Sequence, residues 1–211
     1  MPFLKENKKI VIIFLLALAI RILFFSISFY NNGGDLIDTI HGYDGYFEIA
    51  NNLVDNGVFS VSSEEPFAPH PLRPPVYPYY LAGIMFIFGS YWAVVVANLL
   101  LGSLIPVLGF LLIRKVMSGK IAFGTGLLMA LEPFSIILSF IFYTETVFIF
   151  LFLSFLNFFF RYFEDPSFRN IVWSAVFLGL ATLVKPTTQY LPIVIPLLIL
   201  LYFRKSLNRK I

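Results

Sequence analysis

The sequence predicts an all-α polytopic membrane protein, with about six transmembrane helices and a long first loop carrying short juxtamembrane helices. Three observations carry this reading. Of the 211 residues, 59% are hydrophobic and only 13% are charged, about half the charged share of a soluble domain. Apolar residues come in runs long enough to cross a bilayer, consistent with a mean hydropathy of +0.86. Basic residues gather at the ends of those runs, while the acids concentrate in one loop. A water-soluble fold of this size could not hide so much apolar surface, whereas a bilayer can.

The first span is residues 10–30, preceded by Lys5, Lys8 and Lys9. A basic start and an apolar core also describe a signal peptide. The length of the run, Arg21 inside it and the absence of an A-x-A-like cleavage site favour a retained span. Residues 31–90 form the loop. Its polar part carries Asp35, Asp38, Asp44, Glu48, Asp55, Glu64 and Glu65 against Arg73, His41 and His70. It closes with a short apolar stretch, Tyr77 to Phe88. Five further spans occupy 91–203: Tyr91 to Ile113, Ile121 to about Ser139, about Tyr143 to Phe160, Asn170 to Val184, and Tyr190 to Phe203. A basic tail, 204–211, ends the chain. Residues 1–211 read as a single transmembrane domain.

The short stretch decides the topology. Twelve helical residues cover about 18 Å, well under a hydrocarbon core of about 30 Å. Read as an interfacial or re-entrant helix, it puts every Lys and Arg except Arg21, Arg73 and Lys185 at cytoplasmic helix ends, as the positive-inside rule requires. Both termini are then cytoplasmic and the loop is outside.

Four charges lie within or at the ends of apolar runs: Arg21, Glu132, Glu145 and Lys185. Charge in a bilayer costs about 2.5–3.5 kcal/mol on insertion scales, so each needs a partner, water or a task. Arg21 and Glu132 each lie about 18 Å above the cytoplasmic edge, which makes them candidates to pair inside the bundle. Arg21 could instead snorkel. Glu145 and Lys185 fall on the same outer face as the loop, either as a structural ion pair or as the lining of a binding cavity.

In the loop, Ile49, Ala50 and Leu53 have helical spacing, so Asp44 stands at or just before the start of a short amphipathic helix. There it would serve either as an N-cap or as a functional carboxylate. The prolines around Arg73 hold that residue rigidly at the membrane surface. The chain has no cysteine, so disulfides, thiolate catalysis and thiolate metal sites are excluded. The two histidines lack ligand spacing; loop carboxylates could hold a divalent ion, but no metal or other cofactor is expected. Nucleic-acid binding has no support, because the basic residues mark topology.

An Arg in the first span, the loop pattern from Asp44 through Phe47, Ala50 and Leu53 to Gly57, and the Arg73-Pro74-Pro75-Val76-Tyr77-Pro78 half-helix resemble the GT-C membrane glycosyltransferases. Their closest branch is the dolichyl-phosphate-mannose protein mannosyltransferase type, which includes aminoarabinose transferases. Glu132-Pro133 through Tyr143-Thr144-Glu145 resembles that family's outer turn with its second acidic residue. Gly179 to Pro186 resembles its G-L-A-x-L-x-K segment. Members are usually much longer, so this chain reads either as a minimal catalytic protein or as the shared module of a larger one.

The resemblance implies a polyprenyl-phosphate-linked sugar donor, a glycan, lipid or protein acceptor, and inverting transfer on the non-cytoplasmic face. It makes Asp44 the general base, with Asp35 as runner-up, and Glu145 the second acid. Arg73, Lys185 and His70 become candidates for the donor phosphate. Tyr46, Arg21 and Glu132 are structural candidates. Two other functions remain open: a non-catalytic lipid-binding or assembly subunit of the same fold, and a carrier or flippase of lipid-linked solutes. The expected location is the plasma membrane of a prokaryote, among membrane lipids and with a partner subunit conceivable.

Overall fold

The computed structural model describes residues 2–62, 64–197 and 200. These residues are helical with connecting loops and contain no β-strand. The first helix, α1 (Pro2–Asn31), contains a 25-residue candidate span, Asn7–Asn31, whose most apolar 18 residues have a mean hydropathy of 3.0. At 1.5 Å per residue the whole span covers about 37 Å, enough to cross a bilayer. Two more helices are also long and apolar enough: α5 (Tyr91–Arg114) and α8 (Glu145–Glu164). Three apolar helices are shorter: α4 (Val76–Phe88), α6 (Gly119–Ala130) and α9 (Phe168–Val184). Residues 191–197 are helical, while the far end of the expected last span and the basic tail Arg204, Lys205, Arg209 and Lys210 lie outside the described residues.

The expected continuous run from Ile121 to Ser139 is broken. Helix α6 stops at Ala130, and a separate helix, α7 (Pro133–Ile137), follows. Pro133 causes the break. It has no N–H to donate and disfavours helical geometry at the residue before it, so Glu132 is extended at φ −68 and ψ 117. Proline is tolerated at the first helical position, where its missing donor costs nothing. The Glu132 carboxylate then caps α7, accepting from the backbone N–H groups of Phe134 and Ser135. Glu132 thus lies at a helix start and not inside a span.

Contacts distinguish the two ends of the bundle. At one end Lys9 Nζ donates to Gly119 O at 3.2 Å, and Lys115 Nζ pairs with Glu164 at 2.8 Å. At the other end the loop folds back onto the helices. Loop helices α2 (Leu36–Ile40) and α3 (Tyr46–Asp55) bury Ile40, Ile49 and Ala50 completely. Together with α4 they form one apolar core with Phe25, Val94, Val147 and Ala181 from the bundle helices and Phe142 from the segment before α8. The Tyr91 hydroxyl donates to Asn51 Oδ1 at 2.6 Å, joining α5 to α3. The Asn52 amide donates to Ser60 O and Ser62 O, and so fixes the returning chain against α3. The loop is therefore a packed cap on the bundle rather than a solvated tether.

Candidate active site

Asp44 sits in a turn flanked by two glycines. A Cβ on Gly42 would lie 2.6 Å from Phe142 O, a separation only glycine permits. That close approach lets Phe142 N–H donate to Ile40 O at 2.8 Å, and Tyr43 N–H reach the Tyr143 hydroxyl at 3.5 Å. The Asp44 turn is thus fastened to the segment that leads into Glu145. Gly45 has φ +84, the left-handed conformation that glycine adopts without strain, and it occupies the N-cap position of α3. Asp44 therefore lies one residue before the cap. Among the described residues its Oδ1 receives a long bond from Tyr46 N–H at 3.4 Å, too weak to count as a good cap.

Burial pushes the Asp44 carboxyl above the usual aspartate range, against the pull of the Tyr46 N–H and the Arg73 guanidinium. The Glu145 charge adds to the upward push. A carboxylate short of hydrogen bonds and partly desolvated is a stronger base than a solvated one.

Arg73 is half-buried, with its guanidinium 5.1 Å from the centre of the Tyr46 ring, within cation–π range. Tyr46 is buried and meets the Tyr77 ring edge-on, with centroids 5.3 Å apart. Burial raises the Tyr46 phenol above its ordinary value, so it stays neutral beside Asp44. Tyr46 thus forms the wall that joins the Asp44 turn to Arg73.

Lys185 arrives from the end of α9. Pro186 forces it into an extended conformation at ψ 116, which stops the helix and turns the side chain out. Its Nζ pairs with Glu145 Oε1 at 2.8 Å, and the two side chains remain 38% and 32% exposed. An ion pair this accessible contributes little stability. Glu145 stands in the first turn of α8, where the helix dipole favours a carboxylate. Asp44, Arg73, Glu145 and Lys185 thus gather at the loop end, linked by Coulombic contact or direct pairing.

Other expected residues fall elsewhere. Asp35 is the N-cap of α2 and accepts from Asp38 N–H at 3.1 Å. His70 donates its backbone N–H to Phe59 O at 3.1 Å, within the loop itself. Arg21 is fully buried in α1 and does not pair directly with Glu132. It donates to Ser135 Oγ at 2.9 Å and to Ala17 O at 3.2 Å. Glu132 caps the helix that carries Ser135 and acts on Arg21 by its charge, without a direct salt bridge. Gly102 makes room for the guanidinium, since a Cβ there would lie 2.9 Å from Arg21 Nε. Among the described residues no three His, Asp or Glu side chains gather as a metal centre would. Neither the Gly42–Phe142 approach nor the pairing of His41 with Glu48, at 2.9 Å, carries a signal in the sequence.

Residues 72–211 match the family described as dolichyl-phosphate-mannose-protein mannosyltransferase. That segment contains Arg73, Glu145 and Lys185 and begins after Asp44. No curated protein and no solved structure matches the chain.

Proposed function

Because the chain belongs to the dolichyl-phosphate-mannose-protein mannosyltransferase family, a group of GT-C membrane glycosyltransferases, we propose that it moves a sugar from a polyprenyl-phosphate donor to an acceptor hydroxyl. Asp44 takes the proton from that hydroxyl as its oxygen bonds to the anomeric carbon. The bond from that carbon to the phosphate oxygen breaks, the phosphate leaves with the electron pair, and the carbon inverts. Arg73 and Lys185 stabilise the charge that grows on the leaving phosphate. Glu145 holds Lys185 in place through its 2.8 Å contact. The observation that carries this reading is the gathering of one under-bonded carboxylate with two reachable cations at one end of an apolar bundle.

The reading extends to topology. The bundle crosses the plasma membrane of a prokaryote six times, with the loop end outside and both termini in the cytoplasm. Supporting this, Lys9, Lys115 and the start of α6 meet at the end opposite Asp44, where the positive-inside rule places basic residues. One observation favours a second reading, a non-catalytic lipid-binding subunit of the same fold: the matched segment starts beyond Asp44.

The deciding assay uses the full chain in proteoliposomes with a radiolabelled polyprenyl-phosphate sugar. Release of polyprenyl phosphate coupled to sugar transfer is expected. Donor binding without release would favour the second reading.

A further inference from the structure

A cavity of about 330 Å³ opens beside the Asp44 turn, between α2, α3 and the chain near Val61. Its walls include Asp38, His41, Tyr43, Phe47, Glu48 and Asn51, and exclude Arg73 and Lys185. Two features mark it as a binding cleft. The first is its uncommitted polar groups. Glu48 engages His41 through Oε1, while its Oε2 is buried and has no partner among the described residues. The Asn51 carbonyl accepts from Tyr91, and its amide N–H groups have no partner among the described residues. Asp38 donates its backbone N–H to Asp35, and its own carboxylate has no partner among the described residues. A half-closed cleft holding unpaired acceptors and donors suits a ligand rich in hydroxyls.

The second feature is aromatic. His41 is held edge-on between Tyr43 and Phe47, each ring centre 5.1 Å away. Tyr43 is nonetheless 89% exposed. A bare phenol ring beside carboxylates and amides presents an apolar face to sugar C–H bonds and a polar rim to hydroxyls.

The geometry points to this cleft as the acceptor subsite, taking a saccharide without acidic groups; this rests on the glycosyltransferase reading above. Charge separates the two substrates. Asp38 and Glu48 repel a phosphate, which is drawn to Arg73 and Lys185 instead. Asp44 lies in sequence between Tyr43 and Phe47 of the cleft, and Arg73 acts on it electrostatically. Asp44 does not itself line the cleft but directly follows Tyr43 of its wall; on this assignment it is the carboxylate at which an acceptor hydroxyl from the cleft and a donor from the cationic side meet.

The test uses the full chain in nanodiscs with a diazirine-bearing methyl glycoside, illuminated and mapped by mass spectrometry. Labelling is expected within residues 41–52. It should fall about tenfold in Glu48→Gln, the equivalent of one charge-assisted hydrogen bond, and also fall in Tyr43→Ala. The glycoside carrying a phosphate should label this segment more weakly. Equal labelling in both variants, labelling elsewhere, or preferential labelling by a diazirine Ser/Thr peptide would each overturn the assignment. Photolabelling requires no turnover, so labelling in a chain without transferase activity would count against the proposed function alone.

Discussion

Two turns at helix starts use acidic residues in opposite ways. At residues 131–135, Glu132 accepts from two backbone N–H groups and is fully committed to capping α7. At residues 42–46, Asp44 stands one residue too early to cap α3 and receives a long bond. The arginines divide in the same way. Arg21 is sealed in the bundle by Ser135, Ala17 O and Gly102, while Arg73 lies half-buried over a tyrosine ring beside Asp44. Hydrogen bonds stabilise a charge where it is needed for structure, whereas a charge short of them keeps its reactivity. On the proposed function, the first turn holds the fold and the second is left free for chemistry.

Substitutions should separate the two regions. A large effect is expected at the phosphate side. Lys185→Ala should lower sugar transfer by about 10²–10³-fold, the cost of removing one preorganised charge stabiliser. Stability should change little, since the Glu145 pair is exposed; transfer rate and thermal unfolding read together check this. On the structural side, Arg21→Ala should destabilise the chain by about 2–5 kcal/mol through the cavity it leaves. Thermal shift in detergent measures that loss, and the folded fraction should keep its transfer rate per molecule. A smaller effect is expected from Glu132→Ala, about 1 kcal/mol for a lost cap, again seen in unfolding and not in turnover. If Glu132→Ala abolished turnover in folded protein, the division between the two turns would be wrong.

The smallest effect concerns pH. Asp44 acts only when ionised, and burial raises its folded value above the ordinary aspartate range. Transfer should therefore fall as pH drops through a value above about 4, measured as the acid limb of the rate profile. Stability has the opposite sign. The folded state holds this proton more tightly than the unfolded chain, so ionising Asp44 subtracts stability as pH rises through that window.

Much of the helical plan was legible in the sequence, because apolar runs and their charged ends obey bilayer dimensions. The 13-residue α4 follows from its length alone. The break after α6 was also signalled by Pro133, but the unbroken hydropathy around it masked the stop. That Glu145 and Lys185 share the outer face was legible from their positions at span ends, and their 2.8 Å pairing is one of the two arrangements that placement allowed. The partners of Arg21 were not legible, since a serine three residues past Glu132 carries no sequence signal of its own. Least legible were the contacts within the loop. That Gly42 packs on Phe142 O, or that His41 pairs with Glu48, depends on how a polar segment folds back onto distant helices, and composition and periodicity do not encode such approaches.

The central claim is that Asp44 is held for chemistry at some cost to stability, and Asp44→Asn tests it most directly. Sugar transfer from a polyprenyl-phosphate donor and thermal unfolding should be measured on the same preparations of wild type and variant. Transfer should fall by about 10²–10⁴-fold, the contribution of a general base, while the unfolding temperature stays the same or rises. Equal transfer in the two proteins, or loss of transfer only through loss of folding, would contradict the account.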